Sequence, residues 1–511
     1  MLNPVALDSL NPQQLRAFAQ DLLGRVQAQE RELTYRQVKI DKLTHELALH
    51  KRWRFAARRE AFSAVQAHLF EETVETDLAA IETELAELTP SNPSTAKRQP
   101  KRLPLPPELP RREIHHEPDS THCACGCELK RIGEDVAEKL DYTPGTFTVE
   151  RHIRGKWVCR HCETLIQAPV PAHVIDKGLP TTGLLAQVLV AKHHDHLPLY
   201  RQEAIFARAG LALPRSTLAQ WIGQCGVALQ PLADALKAEL LKAPVLHADE
   251  TPVAMLQPGT GKTHRAYLWA YGTTDFDTVK AVVYDFTDSR AGQHARQFLG
   301  EWRGTLVCDD YAGYKALFEQ GATEAGCLAH ARRKFFELHA QQQSQLAGTA
   351  LEYFQKLYQL EREAAALKPA ARHQLRQSQA RPVADALQAW LIAQRTRVPS
   401  GSAIAKAIDY ALKRWGPLTH YLSDAQVPLD NNWLENRIRP VALGRRNWLF
   451  AGSLRAGQRA AAIMSLIQSA KLNGHDPYVY LKDVLTRLPT QPAHRVHELL
   501  PHRWQLETAP A

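Results

Sequence analysis

The feature that most constrains the fold is an apolar run that ends in acidic residues, at residues 244–252, which read PVLHADETP. From about residue 240 the chain alternates between strand-like and helical segments, and a second apolar run ends at Asp309 and Asp310. This alternation predicts a mixed α/β sheet. We expect the first strand to end at Asp249. Because neighbouring strands lie about 4.8 Å apart, carboxylates at two strand ends can share a divalent ion.

Glu435 is the best candidate for a third carboxylate in such a site. It lies in the segment NNWLENRIRP, where a helix would place it on one polar face with Asn431 and Arg439. Taken alone, Glu435 would be interpreted as a solvated acid with an arginine partner. Three carboxylates with water and substrate phosphate suit Mg²⁺. Strand alternation does not choose between Asp309 and Asp310 as the second acid.

A cluster of cysteines predicts a metal-binding ribbon at residues 119–170. Its thiols are Cys123, Cys125, Cys127, Cys159 and Cys162. The last two form a Cys-x-x-Cys pair, and the preceding segment TFTVERHIRGKWVC alternates like a strand. Four sulfur ligands brought together by strands suit structural Zn²⁺, with unliganded thiols as the alternative. Which two of the first three cysteines bind stays open, and His122 also has a suitable spacing from Cys125.

The region before the ribbon predicts a helical arm over residues 1–89 and a linker over residues 90–118. Val26, Leu33, Ile40 and Leu47 fall seven residues apart in the arm. This stripe indicates either a short self-associating coiled coil or an amphipathic helix packed on its own chain. Proline and basic residues dominate the second segment, so we expect it to be extended and partly disordered.

Residues 175–230 resemble a DNA-binding helix-turn-helix. A glycine ends the first helix, and Ser216 or the run Arg215-Ser216-Thr217 is expected to cap the second. Leu218, Trp221 and Ile222 are expected to form the inner face of the second helix. Arg208, Arg215 and Gln220 are then available to contact DNA. A helix hairpin without a DNA role is the alternative.

Composition permits a nucleic-acid partner and indicates a cytoplasmic protein. The net charge is +9 and the pI about 9.1, which permits phosphate contacts without requiring them. Apolar runs of about 18 residues are absent, and the first residues lack the pattern of a secretory signal. We therefore expect no membrane partner and a bacterial cytoplasmic location, at the nucleoid when DNA is bound.

The order of the motifs HADET, CDDYAGY, CLAHARRKFF and NNWLENRIRP is similar to that of catalytic transposases of the insertion-sequence 66 family. The cysteine ribbon and the helices HLPLYRQ…STLAQW match as well, so the resemblance covers roughly residues 120–490. It implies a ribonuclease-H-like fold with an Asp-Asp-Glu triad formed by Asp249, Asp309 and Glu435. Asp310 is retained as the alternative second acid.

The resemblance further implies two-metal phosphoryl transfer, with two Mg²⁺ or Mn²⁺ ions. The expected partners are the terminal inverted repeats of the element, target DNA, further copies of the chain in a synaptic complex, and small accessory proteins of the same element. Basic side chains near the motifs are placed to grip phosphate, unless they form only a generic basic surface. They are Arg215, Arg332, Arg333, Arg437, Arg439, Arg445 and Arg446.

The sequence therefore predicts a multidomain α/β chain in which a ribonuclease-H-like core follows a coiled-coil arm, a zinc ribbon and a helix-turn-helix-like domain. The core is expected over residues 240–455, with an α-helical insertion at about 335–415, and a C-terminal cap and tail over 456–511. The predicted function is DNA transposition. The alternatives are a structure-specific, metal-dependent nuclease of the same fold and a non-enzymatic zinc protein that regulates by binding DNA.

Overall fold

The computed structural model describes residues 12–56, 64–88, 105–107, 109–118, 120, 122, 124, 127–143, 145–176, 178–257, 262–342 and 344–506. Two long helices come first, α1 (Pro12–Ala56) and α2 (Ala64–Leu88). On α1, Val26 and Leu33 are exposed, whereas Leu43 near its carboxyl end is buried. This distribution fits packing of the end of α1 on its own chain, and self-association of the rest stays a prediction.

A four-stranded sheet follows the arm. Its strands are β1 (Arg111–His116), β2 (Leu129–Thr143), β3 (Thr146–Cys159) and β4 (Leu165–Gln167). Strand β3 is central: β2 and β4 pair with it in antiparallel fashion and β1 in parallel. The strand predicted from TFTVERHIRGKWVC is confirmed as β3.

The end of the predicted linker is a correction to the sequence reasoning, because β1 lies within residues 90–118. Composition suggested that this segment has too few apolar residues to fold. Instead, its basic residues form ion pairs across the sheet, from Arg111 to Glu138 at 2.9 Å and from Arg112 to Glu150 at 2.6 Å. Charge pairing and ladder hydrogen bonds therefore hold a strand that apolar burial alone would not predict.

Three helices connect the two sheets: α3 (Thr182–His193), α4 (Leu199–Arg208) and α5 (Arg215–Leu240). The predicted inner face of α5 is confirmed, since Leu218, Trp221 and Ile222 are buried. The predicted Ser216 cap is wrong. Helix α5 begins at Arg215, its N-cap residue is Pro214, and the Pro214 side chain makes no capping hydrogen bond. Glu203 of α4 accepts the Arg215 N–H at 3.2 Å instead, which satisfies one of the free donors at the helix start.

The second sheet has five strands and carries the candidate acids. In chain order its elements are β5 (Val245–Gln257), β6 (Lys262–Thr273), β7 (Val282–Thr287), α6 (Gly292–Leu299), β8 (Thr305–Cys308), α7 (Lys315–Glu319) and β9 (Thr323–Gly326). The strand order is β7-β6-β5-β8-β9. Strand β6 is antiparallel to both β5 and β7, whereas β8 runs parallel to β5 and β9 runs parallel to β8. The prediction of a mixed α/β chain is confirmed.

Strand β5 does not end at Asp249, contrary to expectation. It continues to Gln257 because β6 pairs with it from Leu246 onward, whereas β8 pairs only with residues 245–247. Asp249 therefore lies two positions beyond the last residue that β8 covers.

A helical segment follows β9. Its elements are α8 (Leu328–Gln342), α9 (Gln345–Ala364), α10 (Pro369–Leu375), a π-helical turn (Arg376–Ala380), α11 (Arg381–Arg395), α12 (Ala403–Lys413) and α13 (Trp415–Thr419). It is helical as the sequence predicted. Its core, built around Phe335, Phe354 and Leu387, is continuous with Val245 and Val307 of the sheet. This segment is thus packed directly on the strands that hold the acids.

Three more helices complete the chain: α14 (Asn432–Trp448), α15 (Leu454–Leu472) and α16 (Pro477–Arg487). Helix α15 ends at Asn473 and Gly474, as predicted, and Gly474 has a φ of 80° that favours glycine. Helix α15 lies along β7, where Ser465 Oγ accepts the Tyr284 N–H at 2.8 Å and Ser469 Oγ accepts the Val282 N–H at 3.0 Å. At the opposite side of the sheet, α13 packs against β9.

Candidate active site

Three elements bring the candidate acids to one region of the five-stranded sheet. Asp249 lies in β5, Asp309 directly follows β8, and Glu435 lies in the first turn of α14. Burial raises the pKa of the Asp249 carboxyl to about 8, and the nearby carboxylates of Glu250, Glu435 and Asp309 contribute in the same direction. The region is therefore a partly buried concentration of negative charge, which a divalent cation would neutralise.

The start of α14 is bound to β5 through Asn431. The Asn431 side chain donates from Nδ2 to the Ala248 carbonyl at 2.9 Å, so its Oδ1 is the acceptor that faces His247 Nδ1 at 2.7 Å. The His247 ring is stacked on Trp433, with 5.5 Å between ring centroids, and burial lowers the pKa of His247 to about 4. A neutral His247 with its proton on Nδ1 thus fixes α14, and with it Glu435, relative to Asp249.

The adjacent acids Asp309 and Asp310 have different partners. Asp310 forms an ion pair with Arg414, which also donates to Glu324 of β9 at 2.6 Å. The Asp309 carboxylate instead accepts the backbone N–H of Tyr311 at 2.9 Å. The charge of Asp309 contributes to the raised pKa of Asp249. Arg414 lies 104 residues from Asp310, so sequence reasoning had no signal for this difference.

Glu250, next to Asp249, is a buried acid whose partners the sequence analysis missed. Its side chain is 2% exposed, and it accepts hydrogen bonds from Arg290 Nε at 2.8 Å and from the Tyr314 hydroxyl at 3.0 Å. Burial raises the pKa of Glu250, while Arg290 acts in the opposite direction. The only sequence signal was the YAGY motif that contains Tyr314, and this motif does not reveal its partner.

The predicted phosphate-binding arginines lie on three helices. Arg332 and Arg333 are exposed on α8, and Arg439 and Arg446 are exposed on α14. The start of α8 lies beside α14, because His330 Nδ1 is 3.8 Å from Glu435 Oε1. The structure thus brings these four cations to two neighbouring helices next to the acids.

The remaining predicted arginines are less available. Arg437 lies over the Trp433 ring, with its guanidinium carbon 4.7 Å from the centroid, and Arg445 donates to the Pro252 carbonyl at 2.6 Å. Arg215 is half-buried at the start of α5, outside the group on α8 and α14. Arg445 therefore anchors α14 to β5.

The ribbon brings its two cysteine segments to one end of a hairpin. Leu129, at the start of β2, pairs with Cys159, at the end of β3, and Cys127 packs against both. Cys162 is exposed, with its sulfur 3.1 Å from the Thr164 hydroxyl. Cys123 and Cys125 lie outside the described residues, so the choice among the first three cysteines stays a prediction.

The described chain contains no helix long and apolar enough to span a membrane.

Four family models match successive regions. They are described as the zinc-finger binding domain of transposase IS66 at residues 120–163, the Transposase IS66 family at 177–459, the IS66 C-terminal element at 465–502, and the Transposase C of IS166 homeodomain at 42–114. The zinc-finger match supports a structural Zn²⁺ ion in the ribbon, and the homeodomain match supports DNA binding by the arm.

The similarity to known proteins covers most of the chain. Three uncharacterized proteins of Sinorhizobium fredii are similar to it. Protein y4hP is 34% identical over 93% of this chain and 89% of its own length. Protein y4qI is 36% identical over 96% and 93%, and y4jD is 38% identical over 79% and 82%. Since the family model at residues 177–459 covers more than half of the chain, the chain belongs to the IS66 family of transposases.

Proposed function

We propose that this transposase cleaves DNA at the ends of its element and joins those ends to target DNA, by divalent-metal-dependent phosphoryl transfer at Asp249, Asp309 and Glu435. The observation that carries the proposal is that Asp309 and Glu435 lie close enough to Asp249 for their charges to raise its pKa. We assign the core the ribonuclease-H-like fold. A sheet of three antiparallel strands followed by two parallel ones, with acids on the central strand and on its neighbour, supports that assignment.

The donor set at the three acids fits Mg²⁺ or Mn²⁺, because every available ligand atom is a carboxylate oxygen. Two such ions, when bound, would supply an activated water or 3′-hydroxyl and would neutralise the leaving oxygen. Asp249 must give up its proton to ligate, and its raised pKa means that binding is accompanied by proton release near neutral pH. His247 and Asn431 hold Glu435 in place, while Arg332 and Arg333 are positioned to hold DNA phosphates.

The different surroundings of the acids argue against a purely structural role for them. Buried Glu250 has Arg290 as its cation, as a structural acid should. Within the part of the chain that the structure describes, neither Asp249 nor Asp309 forms an ion pair with lysine or arginine. Asp309 rather than Asp310 is assigned as the second acid, because Arg414 already neutralises Asp310. A non-enzymatic regulator would not require this unbalanced charge.

Substitution of single acids tests the assignment. In Mg²⁺-dependent cleavage of plasmid DNA carrying the sequences that flank the gene, Asp249→Asn, Asp309→Asn and Glu435→Gln should each lower the cleavage rate about a thousandfold or more. Asp310→Asn is the matched control and should cleave within about tenfold of the wild-type rate. All four variants should bind the DNA as the wild type does in a mobility-shift assay. Wild-type cleavage by Asp249→Asn would sink the catalytic assignment.

A joining assay separates a transposase from a nuclease of the same fold. Pre-cleaved element ends with a free 3′-hydroxyl are incubated with a target plasmid and Mg²⁺, and joined products are detected by gel electrophoresis. Joined products support transposition. Cleavage without any joining, under conditions in which both DNAs are bound, would favour the structure-specific nuclease.

A further inference from the structure

A second group of side chains that can bind metal shares Glu435 with the three acids. Cys327 follows β9, His330 lies in the first turn of α8, and Glu435 lies in α14. One ligand atom from each of the three residues lies within 4.8 Å of the others, and this is the one group of its kind among the described residues. Three separate elements therefore converge on a site that combines sulfur, nitrogen and oxygen.

Two facing atoms of this group have no hydrogen-bond partner. His330 Nδ1 and Glu435 Oε1 are buried, and neither is hydrogen-bonded within the described residues. They are 3.8 Å apart, which is too far for a hydrogen bond to each other. Because buried polar atoms in proteins are normally paired, a shared partner between them is expected.

Two backbone N–H groups are directed at the sulfur of Cys327. Cys327 is 2% exposed, and the backbone N–H of Asn431 donates to its sulfur at 3.2 Å. Burial raises the pKa of the Cys327 thiol to about 12, and the backbone N–H of His330 acts on the same sulfur in the opposite direction. Two N–H donors directed at one sulfur stabilise the negative charge that a cysteine carries when it binds metal. The spacing Cys-x-x-His places the second donor and the imidazole in the same turn.

We propose that Cys327, His330 and Glu435 bind one borderline-soft divalent transition-metal ion, of the Zn²⁺ type, next to the catalytic acids. Thiolate and imidazole select Zn²⁺ over Mg²⁺, which prefers oxygen. Tetrahedral zinc places its ligand atoms about 3.5 Å apart, so the observed 3.8 Å between His330 and Glu435 requires only a small closure. Three protein ligands leave a fourth position open. Glu435 has two carboxylate oxygens, so Oε1 can serve this site while the other oxygen serves the acids.

Cobalt titration of the full chain tests the site. Co²⁺ bound to thiolate gives charge-transfer and d–d absorption, and the ribbon will contribute to both. The result is therefore read as a difference between variants of the metal-free protein. The wild type should bind one more equivalent of Co²⁺ than Cys327→Ala does. The absorption spectrum of Cys327→Ala should lack one thiolate contribution that the wild-type spectrum contains. Cys225→Ala is the matched control, because Cys225 is an equally buried thiol in α5, and it should bind like the wild type.

A second variant keeps the test decisive if removal of the buried thiol disturbs folding. His330 is about a third exposed, and His330→Gln keeps the sulfur while it removes the imidazole. It should also bind one equivalent less and should show a shifted d–d band, with unchanged circular dichroism. Equal Co²⁺ stoichiometry in the wild type and in His330→Gln would overturn the proposal.

The metal site and the proposed catalysis can fail separately. Asp249→Asn removes a catalytic acid but none of the three proposed ligands, so this variant should retain the additional equivalent. Loss of cleavage with retention of that ion supports both proposals. Retention of cleavage together with that ion would contradict the catalytic assignment and leave the metal site standing.

Discussion

Each of the two acidic dipeptides contains one carboxylate that forms an ion pair with arginine and one that does not. Glu250 is paired with Arg290 and Asp310 with Arg414, whereas Asp249 and Asp309 face each other's charge. Asp249 and Glu250 are neighbours in β5 and point to opposite faces of that strand, whereas Asp309 and Asp310 lie just beyond β8 and differ in their partners. At the scale of single residues, the chemistry of the site depends on which acid lacks a cation.

A histidine in the ribbon predicts a pH dependence of stability. His152 Nδ1 is 3.0 Å from His116 Nε2, and burial, with the charge of Lys139 next, lowers the pKa of His152 from 6.5 to about 4. Between these two values the unfolded state binds more protons than the folded state. The free energy of unfolding of this sheet should therefore fall as pH falls, by about 2 kcal/mol between pH 7 and pH 5.

The variant His152→Asn isolates this contribution, because asparagine does not titrate. Urea unfolding at pH 7 and pH 5 would be followed by hydrogen exchange of peptides from residues 129–159. The wild type should lose more stability than the variant over this interval. Equal losses in the two proteins would show that His152 is not responsible.

At the scale of elements, helix α2 is attached to helix α15 through a buried ion pair. Asp77 is fully buried, forms an ion pair with Arg459 of α15 at 2.9 Å, and accepts the Ser453 hydroxyl. Gly223 of α5 lies so close to α2 that a side chain there would collide with the backbone at Thr76. The N-terminal arm is therefore a packed part of the molecule from α2 onward.

Removal of the Asp77 charge should detach this helix. Asp77→Ala leaves Arg459 buried without its partner, which we expect to cost about 3 kcal/mol or more. Limited proteolysis should then cleave within residues 64–88 much faster than in the wild type. Glu82→Gln is the matched control on the same helix. Glu82 is 55% exposed and its Oε1 is 3.9 Å from Lys51 Nζ, so this ion pair is weak and the rate of proteolysis should not change.

Elements with strong periodicity were predictable from the sequence, whereas those held by distant partners were not. Strand β3 and the carboxyl end of α15 follow local patterns, alternation in one case and Asn473-Gly474 in the other. Strand β1 was missed because its ion pairs lie 27 and 38 residues away. The length of β5 was underestimated because Thr251 and Pro252 read as a strand end, although β6 continues to pair beyond them.

The candidate site divides in the same way. Asp249, Asp309 and Glu435 were recognised as motifs, and the structure brings them together. The Cys327 and His330 pair appeared only as part of a family motif, and Cys327 taken alone read as a buried free thiol. Its significance depends on Glu435, 108 positions after Cys327 in the sequence, so no local pattern could have identified it.

At the scale of the whole molecule, an overall positive charge surrounds an acidic site. The net charge is +9, and exposed arginines on α8 and α14 lie beside the carboxylates. Phosphate contacts made by such residues release counterions, so binding should weaken steeply with salt. The exposed arginines supply long-range attraction for DNA phosphates beside carboxylates that would repel them.

The salt dependence of DNA binding tests the role of α8. Replacement of Arg332 and Arg333 together by glutamine should lower the slope of log K against log salt by about two, since each phosphate contact contributes about 0.9. The charge-matched control replaces Arg362 and Arg397, which are exposed in the helical segment outside the predicted set. Fluorescence anisotropy at several salt concentrations measures both slopes. Identical slopes for the two double variants would remove α8 from the DNA interface.

The covered borders of the five-stranded sheet have a consequence for crowding on DNA. Two serine hydroxyls of α15 occupy N–H groups of β7, and α13 lies over β9. Open strand edges recruit strands from other molecules and lead to aggregation, a hazard that grows when several copies gather on one short stretch of DNA. Because α15 occupies N–H groups of β7 and α13 packs against β9, edge-to-edge pairing between copies of this sheet is hindered, and contacts between neighbouring molecules are left to helices and loops.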